Sequence, residues 1–265
     1  MERVEVDGVE AGVEDLKLLA RSSYAHFTSM QVRGGAVRGL DLHLRRLDES
    51  ARDVFGTGVA AERVRSCLRH ALDAGPDDMS VRVTVFAHGL DLVARGEAVE
   101  PQLAVTTSAP VEAGSEPMRL RTVPYERDLP HIKHAATFGL THHRRLAALA
   151  GYDDALFTDR HGRISEASVW NVCFYDGERV VWPEAAVLPG ITMQLLRRGL
   201  EAKGVPSEQR EVRPADLTPA LSAFLTNSIS PALPVASVDG VRLAVDPDAR
   251  SLLLDCYETN PWEPV

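Results

Sequence analysis

The sequence contains, at residues 131–140, the stretch His131-Ile132-Lys133-His134-Ala135-Ala136-Thr137-Phe138-Gly139-Leu140, which holds one of only three lysines in the chain. The other two, Lys17 and Lys203, lie in charged segments that are typical of solvated helices. Lys133 instead follows the segment Asp128-Leu129-Pro130 and precedes an apolar stretch without carboxylates. Desolvation in apolar surroundings lowers the pKa of a lysine and makes its neutral amine available as a nucleophile. A lysine that caps a loop is the alternative, and this stretch alone leaves both interpretations open.

The composition is that of an ordinary globular protein with room for one large or two medium domains. Of the 265 residues, 45% are hydrophobic and 25% are charged. The formal net charge is −9 and no basic tract offsets it, which argues against a nucleic-acid partner. The three cysteines, Cys67, Cys173 and Cys256, are too few and too dispersed for a disulfide framework or a zinc site. We therefore expect no metal centre.

The sequence shows no apolar run long enough to span a bilayer. It also has no charged-then-apolar leader at its start. We expect a cytoplasmic protein with no membrane partner.

Strand and helix patterns alternate along the chain and predict a mixed α/β fold. Asp41 is a suitable N-cap for an amphipathic helix over 42–55, and a second helix is predicted over 59–74. A further helix is predicted over 135–150, after the proline-bearing segment. We divide the chain into a small N-terminal α/β domain (1–123), an interdomain linker (124–130) and a C-terminal domain (131–265).

Three polar motifs follow Lys133, and each has an ordinary structural alternative. Ser165-Glu166-Ala167-Ser168 holds a carboxylate between small residues at the mouth of a strand, where a buried acid needs a cationic or proton-sharing partner. Leu188-Pro189-Gly190-Ile191-Thr192 opens a helix, whose free N–H groups suit an anion. Phe224-Leu225-Thr226-Asn227-Ser228 runs from a strand into three polar residues. The alternatives are a local turn, an ordinary helix start and a capped loop.

The order and spacing of these motifs resemble the class IV (fold-type IV) aminotransferases, a family of pyridoxal-phosphate proteins that includes branched-chain and D-amino-acid transaminases and aminodeoxychorismate lyase. The N-terminal half agrees with the resemblance. Its segments 27–33 and 42–47 are similar to the family's first strand and its H-x-x-R-L helix. The resemblance covers roughly residues 20 to 240, and it implies a small N-terminal α/β domain, a larger C-terminal pseudo-barrel domain and a site between them.

Carried over by position, the resemblance implies a role for each matching residue. Lys133 matches the Schiff-base lysine, which also moves the proton at the substrate α-carbon, and Glu166 matches the carboxylate on the pyridine nitrogen. Arg46 matches the arginine on the cofactor phosphate, a role that suits a guanidinium. The remaining cofactor positions are a residue on the ring face and three phosphate donors, namely Leu188, Ile191, Thr192 and Ser228. Substrate contacts are expected from His26, Tyr24, Thr226 and Asn227.

The sequence departs from the family pattern at several positions. Phe138 stands where transaminases often carry a tyrosine that bonds the phenolic oxygen of the cofactor ring, and phenylalanine cannot make that bond. Thr28 replaces an acidic residue, and Ser23-Tyr24-Ala25-His26 replaces a Gly-Asp-Gly lead-in. Cofactor binding should survive these changes. Substrate choice is less certain to follow the family, because the altered strand lines its substrate side.

We therefore expect a pyridoxal-phosphate transaminase that acts on a small amino acid or amine and a 2-oxo acid. Aminodeoxychorismate lyase is the alternative within the family, and a catalytically inactive binding protein is the alternative outside it. The family is usually dimeric, so the resemblance also implies a homodimer. Histidines such as His43, His134, His142 and His143 are interpreted as surface or packing residues.

Overall fold

The structure, a computed structural model, describes residues 3–73 and 75–265. Its helices are α1 (Val13–Arg21), α2 (Leu40–Phe55), α3 (Ala61–Asp73), α4 (Leu90–Val93), α5 (Phe138–Leu149), α6 (Ile191–Ala202) and α7 (Pro247–Glu258). The strands of the N-terminal part and of the chain's end are β1 (Arg3–Val6), β2 (Val9–Glu10), β3 (His26–Val32), β4 (Ala36–Arg38), β5 (Met79–Phe86), β6 (Gln102–Ser108) and β16 (Trp262–Pro264). The other strands are β7 (Met118–Pro124), β8 (Asp154–Thr158), β9 (Ile164–Ala167), β10 (Asn171–Tyr175), β11 (Val180–Pro183), β12 (Ser207–Arg210), β13 (Ser222–Thr226), β14 (Leu233–Val238) and β15 (Val241–Arg242).

The described chain divides into two compact units. The first unit comprises the N-terminal residues to Val111 together with Ile132–Ala136 and Pro261–Val265. The second unit comprises Glu112–His131 and Thr137–Asn260. The short segment that contains Lys133 thus groups with the N-terminal residues, although the chain on both sides of it belongs to the second unit.

The first unit is built on an antiparallel sheet with the strand order β2-β1-β6-β5-β3. Met30 and Val32 of β3 pack in one hydrophobic core with the buried side of α2, which includes Leu44, Leu47 and Phe55. This core follows from the sequence, because alternate residues of a strand share one face and residues three or four apart share one face of a helix.

The second unit is built on a nine-stranded sheet, six of whose strands close into a ring. The ring runs β10-β13-β14-β7-β8-β9 and closes where β9 pairs with β10 through Glu166 and Asn171. Strands β7 and β8 are parallel, as are β14 and β7, and the other pairs in the ring are antiparallel. Val172, Phe174 and Leu225 belong to one buried cluster of this unit. The alternate residues Cys173 and Phe224 belong to a second cluster, with α6 and α7.

The predicted mixed α/β fold is confirmed, but two helix starts were wrong. Gly39, not Asp41, is the N-cap of α2, and Asp41 lies inside its first turn. The helix predicted from residue 135 begins at Phe138, because backbone groups of the preceding segment bond to the start of β3. The helix predicted over 59–74 is α3, and its predicted last residue, Ala74, lies outside the described residues.

Two further observations bear on the expectations from sequence. No helix within the described ranges is long and apolar enough to cross a membrane. In the same part of the chain, no group of three or more His, Cys, Asp or Glu side chains could hold a metal ion.

We predict that Gly199→Ala destabilises the protein, although alanine is the better helix former by about 1 kcal/mol. A Cβ at Gly199 would lie 1.9 Å from the carbonyl oxygen of Cys256, so α6 and α7 would have to separate. Overpacking of this kind costs roughly 1–3 kcal/mol. Thermal unfolding should show a lower Tm than wild type, and a higher Tm would contradict this close approach.

Candidate functional site

The backbone of Lys133 is held by the first residues of β3. The carbonyl of Lys133 accepts a hydrogen bond from the Phe27 amide at 2.9 Å, and the Ala135 amide donates to the Ala25 carbonyl at 2.7 Å. His26 and His134 form an antiparallel bridge between these bonds. The ammonium of Lys133 lies 4.9 Å from the centroid of the Phe27 ring, within the range of a cation–π contact. The lysine is thus half-buried in the first unit with its main chain held on both sides.

The charges of the predicted phosphate arginine and of the predicted Schiff-base lysine both act on a buried histidine, His43. The ring Nδ1 of His43 and the hydroxyl of Thr28 share a hydrogen bond of 2.6 Å. Burial is the main cause that lowers the pKa of His43 to about 3, and the charges of Arg46 and Lys133 add to it against the opposing effect of Asp41. His43 is therefore neutral, and both cations act on the same ring.

The two predicted substrate residues at the start of β3 lie near the end of α2. His26 is fully buried, and its ring centroid is 6.0 Å from that of Phe55. Within the described part of the chain, neither ring nitrogen of His26 has a hydrogen-bond partner. Tyr24 is exposed, donates its hydroxyl to the Val54 carbonyl at 3.2 Å and also contacts Phe55 edge-on. Their contact with substrate stays a prediction.

An arginine that the motifs did not single out shares the Phe27 ring with Lys133. The guanidinium carbon of Arg82, on β5, lies 3.6 Å from the centroid of that ring. The register of the sheet explains the contact, because Phe27 pairs with Thr84 and Ser29 pairs with Arg82. Only strand pairing could have pointed to Arg82, since it is far from β3 in sequence.

In the second unit, Glu166 is a buried carboxylate with several polar neighbours. Its Oε2 accepts a hydrogen bond from the Leu188 amide at 3.2 Å and lies 3.5 Å from the side-chain nitrogen of Asn171. Its Oε1 lies 3.7 Å from a guanidinium nitrogen of Arg127, another residue that the motifs missed. An opposite charge at this distance favours the ionised carboxylate.

The segment before α6 is tied to the same place. Asn171 donates to the Leu188 carbonyl at 2.8 Å, and a Cβ on Gly190 would lie 1.9 Å from the Asn171 side-chain oxygen. Glycine at this position therefore allows the close approach of Asn171. Among the described residues, no side chain caps the N-terminus of α6, which starts at the buried pair Ile191 and Thr192. Free N–H groups and a hydroxyl at a positive helix end suit an anion.

Strand register adds a third residue to this group. Glu166 pairs with Asn171, and Asn171 in turn pairs with Thr226, so the three lie in one row across β9, β10 and β13. Thr226 is buried, and no described residue hydrogen-bonds its hydroxyl. The side-chain oxygen of Asn227 already accepts hydrogen bonds within its own loop, from the amides of Ile229 and Ser230 at 2.9 and 3.0 Å. Ser228 follows it and is half-buried.

Phe138 is the most exposed of the predicted cofactor residues. It begins α5 with 83% of its surface exposed and stacks on His142, with ring centroids 5.8 Å apart. Most of its surface is therefore accessible in the described part of the second unit.

The two groups of residues have complementary chemistry. The first unit offers an amine and an arginine, Lys133 and Arg46, beside a neutral imidazole. The second unit offers a buried carboxylate, an uncapped helix start and a buried hydroxyl without a partner among the described residues. In the second unit these groups fit a ring nitrogen and a phosphate, and in the first unit the amine and the arginine fit an aldehyde and a phosphate.

Comparisons with known proteins agree on one family. The family model for amino-transferase class IV matches residues 25–238. A probable branched-chain-amino-acid aminotransferase of Synechocystis is 24% identical over 218 residues, which are 78% of this chain and 71% of that protein.

Solved structures show the same fold. An aminotransferase from Brucella abortus bound to PLP is 20% identical, with a TM-score of 0.83 over 98% of this chain and 99% of that one. A putative 4-amino-4-deoxychorismate lyase from Legionella pneumophila is 21% identical, with a TM-score of 0.77 over 92% of each chain. The PLP-bound form of a hypothetical aminotransferase from Mycobacterium tuberculosis is 22% identical, with a TM-score of 0.78 over 98% of each. The predicted fold-type IV class is confirmed.

We predict that protonation of His26 destabilises the protein in mild acid. Burial lowers the pKa of His26 from 6.5 to about 4, so the unfolded chain takes up its proton first and stability is lost as the pH falls from about 6.5 towards 4. Between pH 7.5 and 5 this one group should remove about 2 kcal/mol from the free energy of unfolding.

Urea unfolding of wild type and His26→Leu at both pH values measures the effect. The variant should lose less stability on acidification, whereas His88→Leu, at an exposed histidine, should behave like wild type. Equal losses in wild type and His26→Leu would contradict the prediction.

Proposed function

The chain belongs to the class IV aminotransferase family, and we propose that it uses pyridoxal 5′-phosphate to transfer an amino group between a small amino acid or amine and a 2-oxo acid. The predictions of the family, of an enzyme and of this cofactor are confirmed at the level of the family. The roles of individual residues are our proposal. The observation that best supports them is the buried Glu166, which accepts a hydrogen bond from the Leu188 amide three residues before α6 begins.

The proposed roles of the residues follow their matches to the family motifs. In the second unit, Glu166 would accept a hydrogen bond from the pyridine nitrogen, and Leu188 would pack on the ring. The phosphate would be bound by Ile191, Thr192 and Ser228. In the first unit, Arg46 would bind the phosphate and Lys133 would bond covalently to the aldehyde. When bound, pyridoxal phosphate supplies that aldehyde and a ring that accepts the electron pair released at the substrate α-carbon.

The residues of the chain would move a proton, hold the reactive lysine and set the charges around it and around Glu166. The amine of Lys133, released when the substrate amine takes its place on the aldehyde carbon, would take the proton from the substrate α-carbon and pass it to that former aldehyde carbon. This requires the amine to stay in reach while its charge changes. The main-chain bonds to β3 hold its backbone in place during that step. Because His43 is neutral, it adds no positive charge to those of Lys133 and Arg46. The nearby Arg127 would favour the charged form of Glu166, which would accept a hydrogen bond from the protonated ring nitrogen.

Arg82 is our candidate for recognition of the substrate carboxylate. It shares the Phe27 ring with Lys133, it is exposed, and its position on β5 is set by the sheet. A guanidinium suits a carboxylate because it can donate two parallel hydrogen bonds. Arg82 would then bind the substrate carboxylate in the same unit as the reactive amine.

Aminodeoxychorismate lyase is the second candidate function. The likeness to the Legionella structure supports it, and residues 226–235 resemble the cofactor-side loop of that enzyme. The two functions differ in their need for an amino acceptor. Release of pyruvate from aminodeoxychorismate without an acceptor would favour the lyase, and amino transfer that depends on a 2-oxo acid would favour the transaminase.

We also propose a cytoplasmic homodimer. Phe138, Leu146 and Leu149 on α5 expose large apolar surfaces that a second subunit could cover. If sedimentation equilibrium gives a molecular mass equal to that of one chain, 28.9 kDa, the dimer is contradicted.

We predict that Lys133→Ala abolishes covalent attachment of the cofactor. Wild-type protein with pyridoxal phosphate should show visible absorbance that borohydride removes, and mass mapping should place the reduced adduct on residue 133. Lys17→Ala, at an exposed lysine paired with Glu14, should label like wild type. An adduct on another lysine in wild type, or labelling of Lys133→Ala, would refute the assignment of Lys133.

We predict that Arg82→Leu weakens recognition of the acid substrate more than it slows turnover. Loss of a charge-assisted hydrogen bond should raise KM by about tenfold or more, with a smaller change in kcat. Arg69→Leu, which removes an exposed arginine of α3, serves as the control. Steady-state kinetics with the amino donor saturating and the 2-oxo acid varied measures both constants, and an unchanged KM would exclude Arg82.

A further inference from the structure

Asp154 is a fully buried carboxylate in the second unit that the proposed mechanism does not use. Its Oδ2 accepts hydrogen bonds from the Ser168 hydroxyl at 2.8 Å and from the Trp170 indole nitrogen at 3.2 Å. Its Oδ1 accepts from the Ala155 amide at 2.7 Å, and Arg144 lies 3.7 Å from Oδ2. Burial of a carboxylate is costly unless such partners satisfy it. Four partners at one buried acid indicate that its position is well determined.

The side chains bound by Asp154 lie in the turn between β9 and β10. Ser168 and Trp170 belong to the three residues between the two strands, and the Ala167 amide closes the turn by donating to the Trp170 carbonyl at 2.9 Å. Asn171 directly follows this turn and Glu166 lies two residues before it, and these two residues form the register pair between β9 and β10 in the described structure. Asp154 itself begins β8, which pairs with β9. It therefore connects the strand before Glu166 with the turn after it.

We propose that Asp154 is a positioning residue for Glu166. By holding Ser168 and Trp170, it fixes the turn that sets Glu166 against Asn171 and the Leu188 amide. This inference rests on the proposed function, because Asp154 would act by holding Glu166 in position to bind the ring nitrogen of the cofactor. Loss of Asp154 should then weaken the contact to the ring nitrogen more than the contacts to the phosphate and the aldehyde.

A pair of ligands that differ only at the ring nitrogen separates these effects. Pyridoxal phosphate and 1-deazapyridoxal phosphate, which carries C–H in place of the nitrogen, are titrated into the apo protein to obtain each Kd. Wild type should prefer pyridoxal phosphate by about tenfold or more, the value of a charge-assisted hydrogen bond. Glu166→Gln sets the lower reference, because its side chain no longer carries the charge.

Asp154→Ala should lose most of that preference, to about threefold or less, while its Kd for the deaza compound changes little. Ser168→Ala removes one of the bonds to the turn and should give an intermediate ratio, which keeps the test decisive if Asp154→Ala does not fold. Asp153→Ala is the matched control. Asp153 lies one residue before Asp154, at the surface. Its carboxylate accepts hydrogen bonds from the main-chain amide and from the guanidinium of Arg119.

The outcomes distinguish a positioning role from general stability and from failure of the proposed function. A Kd that rises equally for both ligands in Asp154→Ala and Ser168→Ala, or a ratio that stays at the wild-type value, overturns the inference alone. A shift of the ratio by Asp153→Ala as large as that by Asp154→Ala also overturns it. Wild type that binds neither ligand overturns the proposed function and the inference with it.

Discussion

The pairing of Glu166 with Asn171 is the constraint on which the second unit depends. It is the only register pair that joins β9 to β10 in the described structure, and it closes the six-stranded ring. The residue that closes the ring is also the predicted cofactor carboxylate. The backbone of Glu166 is therefore held by the sheet, because it cannot shift without opening the ring. Precise placement of a charge matters most for interactions in a water-poor site.

Asn171 extends the same constraint to residues 188–192, the predicted anion-binding segment. The side-chain nitrogen of Asn171 donates a hydrogen bond to the Leu188 carbonyl, and its side-chain oxygen leaves room only for glycine at residue 190. Its partner on the neighbouring strand is Thr226. One asparagine thus sets the distance between a carboxylate, a helix start and a buried hydroxyl. The first unit uses main-chain bonds for a comparable purpose. Residues 132–136 add to the start of β3 instead of starting the helix, which holds Lys133 at the Phe27 ring.

Much of the fold and of the candidate site could be predicted from the sequence, and the failures have identifiable causes. The helix at 192–202 was predicted to within a residue, because its apolar period and its proline-glycine lead-in are local signals. The start of α5 was wrong because a strand contact with distant residues competes with helix formation at 135–137. Strand β9, which carries Glu166, is four residues long and was indicated only as the mouth of a strand.

The sequence by itself determined the family, the mixed α/β class and the residue types available for the chemistry, since motif order and periodicity are properties of the chain alone. It did not indicate Arg82, Arg127 or Asp154 as neighbours of those motifs. Tertiary structure decided that Arg82 shares a ring with Lys133, that Arg127 faces Glu166 and that Asp154 holds the turn after it. The physical reason is that these contacts join residues that are far apart in sequence or lie on different strands, and only strand register and packing bring them together.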